Sequence, residues 1–351
     1  MTTMTMLDYI NQEQETLTKI LNDYDFSSDA QLSSMNTVMI LATGSSYNAC
    51  LSAKLAFEKL ADVSVTIEEP YNFTHYGRLI ESVDTIVGVS QSGKSASTID
   101  ALNELRDSKI HRIVLTGDQN SPITQAADKV IDLNIGIETV GFVTKGFSAT
   151  VLQIILLAIK VGVSKKQIDE QRLSELQHEL NEVIENISSV IDKSNAFFAE
   201  HEKRFKLGER FAALGYGPNW GTAKEFETKF TETVRRPSSG FELEAYMHGP
   251  YLEANREHTL FFIETPSANQ KRSQALANYL KNYVDGVFTV TTEKASDSNV
   301  LGLNVIVSEI FSPLLLIIPF QLFAFRTATA KGIDLSKRIF DDFDTVLKSK
   351  I

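Results

Sequence analysis

Residues 84–98, which read DTIVGVSQSGKSAST, indicate the architecture of the whole chain. Thr85, Ile86 and Val87 form a β-branched run that is typical of a buried strand. Apolar positions at helical spacing follow in residues 95–105, so the turn Ser90–Gly93 joins a strand to a helix. The first N–H groups of a helix lack partners within the helix and, with serine hydroxyls around them, suit a phosphate group. The stretch therefore predicts a phosphate-binding strand–turn–helix.

Two other interpretations of this stretch stay open. Gly88–Ser95 formally fits the nucleotide-binding pattern G-x-x-x-x-G-K-[S/T] between a strand and a helix. That pattern requires a long loop, whereas Gly88 and Val89 read as the end of the strand. It also requires an acidic metal-binding residue that ends another buried strand, and Asp118 and Asp132 are weak candidates for that role. The third interpretation is an ordinary strand–helix turn that binds no ligand.

Length, charge and cysteine content limit the class of protein. The chain has 351 residues, which predicts about two domains, and its 43% hydrophobic content supports packed cores. The net charge of −11 argues against nucleic acid or an acidic membrane surface as a partner. Cys50 is the single cysteine, which excludes an intrachain disulfide. The first residues lack the features of a signal peptide, and the longest apolar run, Ile310–Phe325, is too short to span a bilayer. We therefore expect a cytoplasmic protein that does not associate with membranes.

Predicted strands and helices alternate along most of the chain. This alternation indicates an α/β fold in which parallel sheets are covered by helices on both faces. The long amphipathic stretch 165–198 marks the junction, so we predict an N-terminal domain over 1–195 and a C-terminal domain over 196–351. Ligands of parallel sheets bind at the carboxyl ends of the strands, where 43–46 and 90–95 both fall. The predicted strands are Thr37–Ala42, Val63–Glu68, Asp84–Val89, Arg112–Thr116, Val130–Leu133, Arg210–Leu214, Thr259–Glu264 and Val287–Thr291.

The two halves of the chain are related by an internal repeat with an offset of 173 residues. At this offset the stretch 41–44 falls on 214–217, and 86–92 falls on 259–265. Two landmarks in the same register indicate a duplicated domain. The second copy has Glu264 and Pro266 where the first copy has the serine turn. Because a carboxylate repels an anion and proline lacks an N–H group, we expect phosphate binding in the first half alone.

Four segments spread over both halves together resemble the double-SIS (sugar isomerase) domain family. The chain is similar to the isomerase half of glutamine–fructose-6-phosphate aminotransferase and to the stand-alone fructosamine-6-phosphate deglycases. The resemblance implies two tandem SIS-type, flavodoxin-like domains, each a parallel sheet with helices on both faces. The segments that carry it are TGSSYN at 43–48, SQSGKS at 90–95, EFETKFTE at 225–232 and EAYMHGP at 244–250.

The resemblance also implies a set of functional residues. Glu232 falls on the glutamate that shuttles a proton in the family, and Lys229 falls on a family lysine three residues earlier. His248 falls on the histidine of a His-Gly-Pro motif that reaches the active site of the neighbouring subunit. These matches imply a homodimer or higher homo-oligomer with shared active sites. The residues expected around the sugar and its phosphate are Ser45, Ser46, Ser90, Gln91, Ser92 and Ser95.

Departures from the family pattern narrow the expected reaction. The chain has no N-terminal catalytic cysteine and begins with a SIS-type region, so glutamine-dependent amination is not expected. The aminotransferases end with a lysine that engages the open sugar. Phe343 stands at that position here, although Lys348 and Lys350 are close to it.

These departures leave several possible functions. The main expectation is a deglycase that splits a ketosamine or fructosamine 6-phosphate, or a related aldose–ketose isomerase of aminosugar phosphates. Alternatives are a glucosamine-6-phosphate deaminase, an aminotransferase-like isomerase without a glutaminase domain, and a sugar-phosphate-binding SIS protein without catalysis. No cofactor is expected, and no spacing of His, Cys or carboxylates indicates a metal site.

Overall fold

The computed structural model describes residues 4–136, 138–340 and 342–351, and the chain folds into two compact units. The amino-terminal unit comprises Glu15–His178 together with Arg338–Ile351. The carboxyl-terminal unit comprises residues 4–14 together with Glu179–Lys337. Each unit contains one five-stranded parallel sheet.

The sheet of the amino-terminal unit has the strand order β2-β1-β3-β4-β5. The strand order reverses between β1 and β3, which is where open α/β sheets bind their ligands. Its strands are β1 (Thr37–Leu41), β2 (Ser64–Glu68), β3 (Thr85–Val89), β4 (His111–Thr116) and β5 (Lys129–Asp132). Its helices are α3 (Ser45–Leu60), α4 (Pro70–Tyr76), α5 (Ala96–Glu104), α6 (Lys145–Ser164) and α13 (Phe343–Leu347), while α2 (Glu13–Asn22) and α7 (Glu170–Glu185) cross the division between the units.

The central strands of this unit are apolar because helices cover both faces of the sheet. All five residues of β3 are buried. On one face Met39, Ile86 and Val114 pack with Ile99 and Leu102 of α5. On the other side α3 packs against α6, whose buried residues occupy nearly its whole length. The core therefore holds the carboxyl ends of β1 and β3 in fixed positions.

The carboxyl-terminal unit repeats this arrangement with the strand order β10-β9-β8-β6-β7. A cluster of phenylalanines from α8, α12 and the strands fills one face of its sheet, with ring centroids of Phe205, Phe261 and Phe288 less than 6 Å apart. Its strands are β6 (Arg210–Gly215), β7 (Ser238–Glu242), β8 (His258–Glu264), β9 (Gly286–Thr291) and β10 (Val300–Gly302). Its helices are α1 (Met6–Asn11), α8 (Ile187–Leu207), α9 (Asn219–Thr233), α10 (Leu243–Tyr246), α11 (Gln270–Leu280) and α12 (Pro313–Ala330).

The structure confirms the α/β class and the tandem repeat. β1 and β6 begin at residues 37 and 210, and β3 and β8 begin at 85 and 258, so both pairs are separated by 173 residues. Both sheets have the 2-1-3-4-5 strand order of flavodoxin-like folds.

The division of the chain differs from the predicted ranges 1–195 and 196–351. The boundary lies at 178/179, because α8 packs along α12 and thus belongs to the carboxyl-terminal unit. The first helix, α1, also packs against α12. The segment Arg338–Ile351 joins the amino-terminal unit, where its last residues pair with the start of α5. The prediction divided the chain at a single point, so it could not place a terminal segment in the unit formed by the other half of the chain.

Several local predictions also differ from the structure. The segment Glu-Pro-Tyr-Asn at 69–72 has a composition typical of a turn, but Pro70 occupies the first position of α4, where its fixed φ suits a helix. The stretch 165–198 forms two helices that meet at Asn186. The short strands β7 and β10 were not predicted, since neither SSGFE nor VLG shows an apolar alternation of useful length.

Two helices among the described residues are long and apolar enough to cross a membrane by length and composition. They are α6, of which 89% of the apolar window is buried, and α12, of which 78% is buried. Both helices pack against other elements of their own unit, so burial in a core accounts for their composition.

Candidate functional site

The serine turn lies at the carboxyl end of β3, and the structure confirms its strand–turn–helix setting. The Gly93 N–H donates to the Ser90 carbonyl at 2.9 Å, which closes a β-turn over Gln91 and Ser92. The Gly117 N–H donates to the Gln91 carbonyl at 2.8 Å and ties the turn to the loop after β4. Ser90 is buried, whereas Ser92 is exposed.

Glycine is required at position 93 for two reasons. Its φ of +65° lies in the left-handed region that favours glycine. A Cβ atom there would also lie 1.8 Å from Ser121 Oγ, so no side chain fits. The turn is therefore narrow, and helix α5 begins directly after it at Ala96.

Hydroxyl groups surround the start of α5, but none of them caps a backbone N–H group of the helix. Ser95 is the N-cap residue, and its side chain caps no backbone N–H. Its Oγ instead accepts a hydrogen bond from Thr98 Oγ1 at 3.0 Å and lies 3.5 Å from Ser97 Oγ. A helix start with hydroxyls but without a side-chain cap is a suitable anion site.

The second predicted serine pair lies at the neighbouring strand end. β1 ends at Leu41, and Ser45 and Ser46 are the first two residues of α3, both half-buried. β1 and β3 are adjacent in the sheet, with Leu41 opposite Gly88. The structure therefore brings Ser45, Ser46 and the serine turn to one end of the strands, at the point where the strand order reverses.

The segment after residue 342 covers the start of α5. The Ala96 N–H donates to the Ser349 carbonyl at 3.3 Å, and the Ile351 N–H donates to the Lys94 carbonyl at 3.1 Å. Ser95 and Lys350 form an antiparallel bridge. No local sequence signal indicates this pairing, because its partners are about 250 residues apart.

A cavity of about 870 Å³ opens between this segment and the helices α4 and α5, and of the residues predicted to bind the sugar and its phosphate its lining includes Ser95 but not the other five. Ser95 and Ser97 line one side of it, and Leu347, Lys348 and Ser349 line the other. Phe343 is half exposed, and Lys350 Nζ lies 3.4 Å from Asp344, so Lys348 is the lysine of this segment that faces the cavity.

The equivalent crevice in the carboxyl-terminal unit is filled by a tyrosine. Tyr216 follows β6, and its hydroxyl donates to the Thr265 carbonyl at 2.7 Å and accepts the Thr265 N–H at 2.9 Å. Thr265 corresponds to Ser92 at the 173-residue offset. Burial raises the pKa of Tyr216, which keeps its hydroxyl protonated as a donor. The phenol therefore uses the backbone groups at the strand end, where the first repeat has its serine turn.

Helix α9 holds three charged residues on one face. Lys229 Nζ lies 2.6 Å from Glu232 Oε2 and 3.5 Å from Glu225 Oε1. Their spacing of three and four residues places all three on neighbouring positions of the helix. The side chains of Lys229 and Glu225 are fully buried, whereas that of Glu232 is 37% exposed. Of the three side chains, that of Glu232 alone is accessible to a ligand from solvent. The buried ammonium group of Lys229 pairs with its carboxylate.

His248 lies on the surface of the carboxyl-terminal unit, just after the short helix α10. Its side chain is 73% exposed, and its Nε2 lies 3.3 Å from Glu244 Oε1. Arg272 donates two hydrogen bonds to the same carboxylate, at 2.6 and 2.8 Å. The hydrogen bonds from Arg272 lower the pKa of Glu244, and the contact with His248 lowers it to a smaller extent. The carboxylate is thus a fixed anionic support for the imidazole ring.

No metal-binding arrangement is found in residues 4–136, 138–340 and 342–351, where His, Cys, Asp and Glu form no group of three or more that could hold an ion.

One residue at the serine turn was not predicted from the sequence. Glu138 accepts a hydrogen bond from Gln91 Nε2 at 2.7 Å, and this contact spans 47 positions of the chain.

Comparison with known proteins agrees with this fold. Residues 31–160 match the SIS domain family. Glutamine–fructose-6-phosphate aminotransferase [isomerizing] of Gloeobacter violaceus is 25% identical over 307 residues, which cover 86% of this chain. The chain spans about half the length of the curated relatives that it matches.

Solved structures are similar over nearly the whole chain. A Clostridium difficile 630 protein described as a candidate phosphosugar isomerase has a TM-score of 0.89 and 23% identity, with 98% of both chains covered. Glucosamine-6-phosphate deaminase of Thermotoga maritima has a TM-score of 0.78 and 18% identity, with 95% of this chain and 97% of that chain covered. Residues 31–160 thus match a SIS domain, and the chain as a whole shares its fold with these solved structures.

Proposed function

We propose that the chain is a deglycase, which converts a 6-phosphorylated ketosamine and water into a sugar 6-phosphate and a free amine. The observation that carries this proposal is the Lys229–Glu232 pair, in which a buried ammonium group holds a half-exposed carboxylate at 2.6 Å. A carboxylate held in this way can take a proton from carbon and return it, which is general acid–base catalysis. The aminotransferase that resembles the chain is an isomerising enzyme, which supports the same class of chemistry.

In the proposed reaction, the serine turn binds the phosphate of the open-chain substrate. The hydroxyls of Ser90, Ser92 and Ser95 and the start of α5 supply hydrogen bonds to its oxygens, while Ser45 and Ser46 contact the sugar. Gln91 completes this group of ligands. Since the net charge of the chain is −11, a local cluster of neutral donors explains how an acidic protein attracts an anion.

Glu232 transfers the proton in this proposal. Its carboxylate removes a proton from C1 of the ketosamine and delivers it to C2, while the nitrogen loses its proton and the C2 oxygen gains one, so the C2 carbonyl becomes a hydroxyl and the C1–nitrogen bond becomes a double bond. Water then adds to the resulting imine, and the C1–nitrogen bond breaks to release the amine and the aldose 6-phosphate. Lys229 is a positioning residue, because its fully buried ammonium group reaches Glu232 and Glu225 but no solvent.

His248 is proposed to act as the acid towards the ring oxygen or the departing amine. Its exposed position suits a histidine that serves the active site of a second copy of the chain, as the resemblance implies. The same unit exposes further aromatic side chains, with Tyr279 and Tyr283 ring centroids 5.2 Å apart and Tyr251 three positions after the histidine. Exposed apolar groups of this kind mark surfaces that associate. We therefore propose a homodimer as the minimal active unit.

A panel of ketosamine 6-phosphates, incubated with the protein in D₂O and analysed by mass spectrometry, tests the proposal. The expected products are the free amine and an aldose 6-phosphate with deuterium at C2. Glu232→Gln should lower kcat by about 10² to 10⁴ with little change in substrate affinity. Glu202→Gln, the same change on the exposed face of α8, should retain full activity. Normal turnover by Glu232→Gln would show that another residue is the base, and the absence of product with the unsubstituted protein would leave a binding protein.

A second candidate is a deaminase of aminosugar phosphates. It is supported by the similarity in fold to glucosamine-6-phosphate deaminase of Thermotoga maritima. In this case glucosamine 6-phosphate should release ammonia and yield a ketose 6-phosphate, while the ketosamine panel stays unchanged. An assay of ammonia beside the mass spectrometry distinguishes the two reactions.

A further inference from the structure

Two helices begin beside the serine turn. Helix α5 starts directly after it, and the longer helix α6 starts next to Gln91. The second residue of α6 is Gly146, where a Cβ atom would lie 2.4 Å from Gln91 Nε2 and 2.7 Å from Glu138 Oε2. The absence of a side chain at Gly146 therefore lets the first turn of α6 approach the serine turn. Each helix start carries a partial positive charge, so the pair could attract more than one anionic group.

The start of α6 is already occupied by the carboxylate of Glu138. Its Oε1 accepts hydrogen bonds from the Thr144 N–H and from Thr144 Oγ1, both at 3.1 Å. Its Oε2 accepts the Gly146 N–H at 2.9 Å and Gln91 Nε2 at 2.7 Å. Four donors thus converge on one carboxylate, and Gln91 lies between this charge and the start of α5.

The two helix starts therefore differ in what they offer to a ligand. The start of α5 presents hydroxyls and a backbone N–H group that pairs with the Ser349 carbonyl, while a full negative charge lies at the start of α6. With its phosphate at the start of α5, a hexose whose carbon chain runs past Gln91 brings its far end within reach of this charge, because Gln91 Nε2 lies 2.7 Å from Glu138 Oε2. A neutral or cationic group there is tolerated, whereas an anionic group is repelled.

We propose that Glu138 restricts the phosphosugar site to ligands whose phosphate is their sole anionic group. Glu138 is then a specificity-determining residue that rejects sugar acids and sugar bisphosphates. This inference rests on the proposed function, because it requires a phosphosugar to bind at the serine turn. It also gives a reason for the presence of a glutamate whose carboxylate uses the same kinds of hydrogen-bond donor as a phosphate.

Two open-chain ligands of equal length test this restriction by isothermal titration calorimetry. Glucitol 6-phosphate and gluconate 6-phosphate differ only at C1, where the first has a hydroxymethyl group and the second a carboxylate. The protein should bind the glucitol about tenfold or more tightly than the gluconate. Glu138→Gln should reduce this ratio at least about fivefold, mainly through tighter binding of the gluconate. Glu138→Asp, which keeps the charge, should preserve a preference for the glucitol.

Glu81→Gln is the matched control, since it removes the same charge from an exposed position before β3. It should leave both affinities unchanged. Equal affinity of the unsubstituted protein for the two ligands refutes the inference without any variant. An unchanged ratio in a folded Glu138→Gln protein, or an equal loss of both affinities, refutes it as well and leaves Glu138 as a support for the turn. If glucitol 6-phosphate and glucose 6-phosphate both fail to bind, the proposed function falls together with this inference.

Discussion

Replacing Lys229 by methionine should destabilise the carboxyl-terminal unit strongly. The substitution keeps the apolar stem of the side chain and removes an ammonium group that has no exposed surface. Glu225, also fully buried, then lacks the cation at 3.5 Å, whereas Glu232 is 37% exposed and can turn towards water. Removal of one partner from a buried ion pair typically costs about 3–5 kcal/mol. We expect a loss of this size in the free energy of unfolding.

Two further variants separate the ion pair from other effects of the substitution. Lys224→Met removes a lysine from the same helix, where its partner Glu227 lies 2.5 Å away and both side chains are about one-third exposed. Its cost should stay below about 1 kcal/mol, as for exposed pairs. In the double variant Glu225→Gln with Lys229→Met, the buried charge is absent, so about half or more of the lost stability should return.

Urea unfolding followed by tryptophan fluorescence measures these differences. Trp220 is the single tryptophan and lies in the first turn of α9, so its signal reports the unit that carries the substitutions. The reasoning is refuted if Lys229→Met costs no more than Lys224→Met. It is also refuted if Glu225→Gln in the Lys229→Met background gives no recovery, because the buried carboxylate would then not be the source of the loss.

Three other predictions address the phosphate site, the dimer and the pH dependence of stability. The double variant Ser92→Ala with Ser95→Ala should weaken glucose 6-phosphate binding by about 1–3 kcal/mol per lost hydrogen bond to the charged group, and unchanged affinity in calorimetry would contradict the assignment of the serine turn. Mixing Glu232→Gln with His248→Asn subunits should restore part of the activity through hybrid sites, and no recovery after verified subunit exchange would argue against shared sites. Burial raises the pKa of Glu264. The contribution of this carboxyl group to the free energy of unfolding is therefore fully present below its ordinary pKa of 4.5 and is lost as pH rises. Glu264→Gln should therefore unfold at a higher temperature than the unsubstituted protein at pH 7, with a smaller difference at pH 4, and the opposite trend in calorimetry would show that its carboxylate stabilises the fold.

The parts of the fold that local patterns encode were predictable. The β-branched run of β3 and the serine turn predicted a strand–turn–helix, and the structure has β3 and α5 at these positions. The 173-residue offset predicted a second sheet, and the strand starts confirm it. Strand β7 was missed, because an edge strand that contains Ser238 and Gly240 has little apolar signal.

The parts of the candidate site that depend on distant contacts were not predictable in the same way. The spacing of Lys229 and Glu232 places them on one helix face, but their unequal burial follows from the packing of α9 against β7 and α12. The hydrogen bonds of Glu138 join three separate segments, and no local pattern marks that residue. The bridge between Ser95 and Lys350 likewise joins residues that are 255 positions apart.

That bridge has a consequence for biosynthesis. Residues 15–178 leave the ribosome well before the segment that starts at Arg338, with a delay of roughly 10 to 30 s at about 5–20 residues per second. During this interval the Ala96 N–H at the start of α5 has no Ser349 carbonyl to meet. Under the proposed function, a phosphosugar can therefore reach the nascent serine turn before residues 349–351 do. If the proposed site is correct, phosphosugar binding and the pairing of residues 349–351 with α5 are thus separated in time during synthesis.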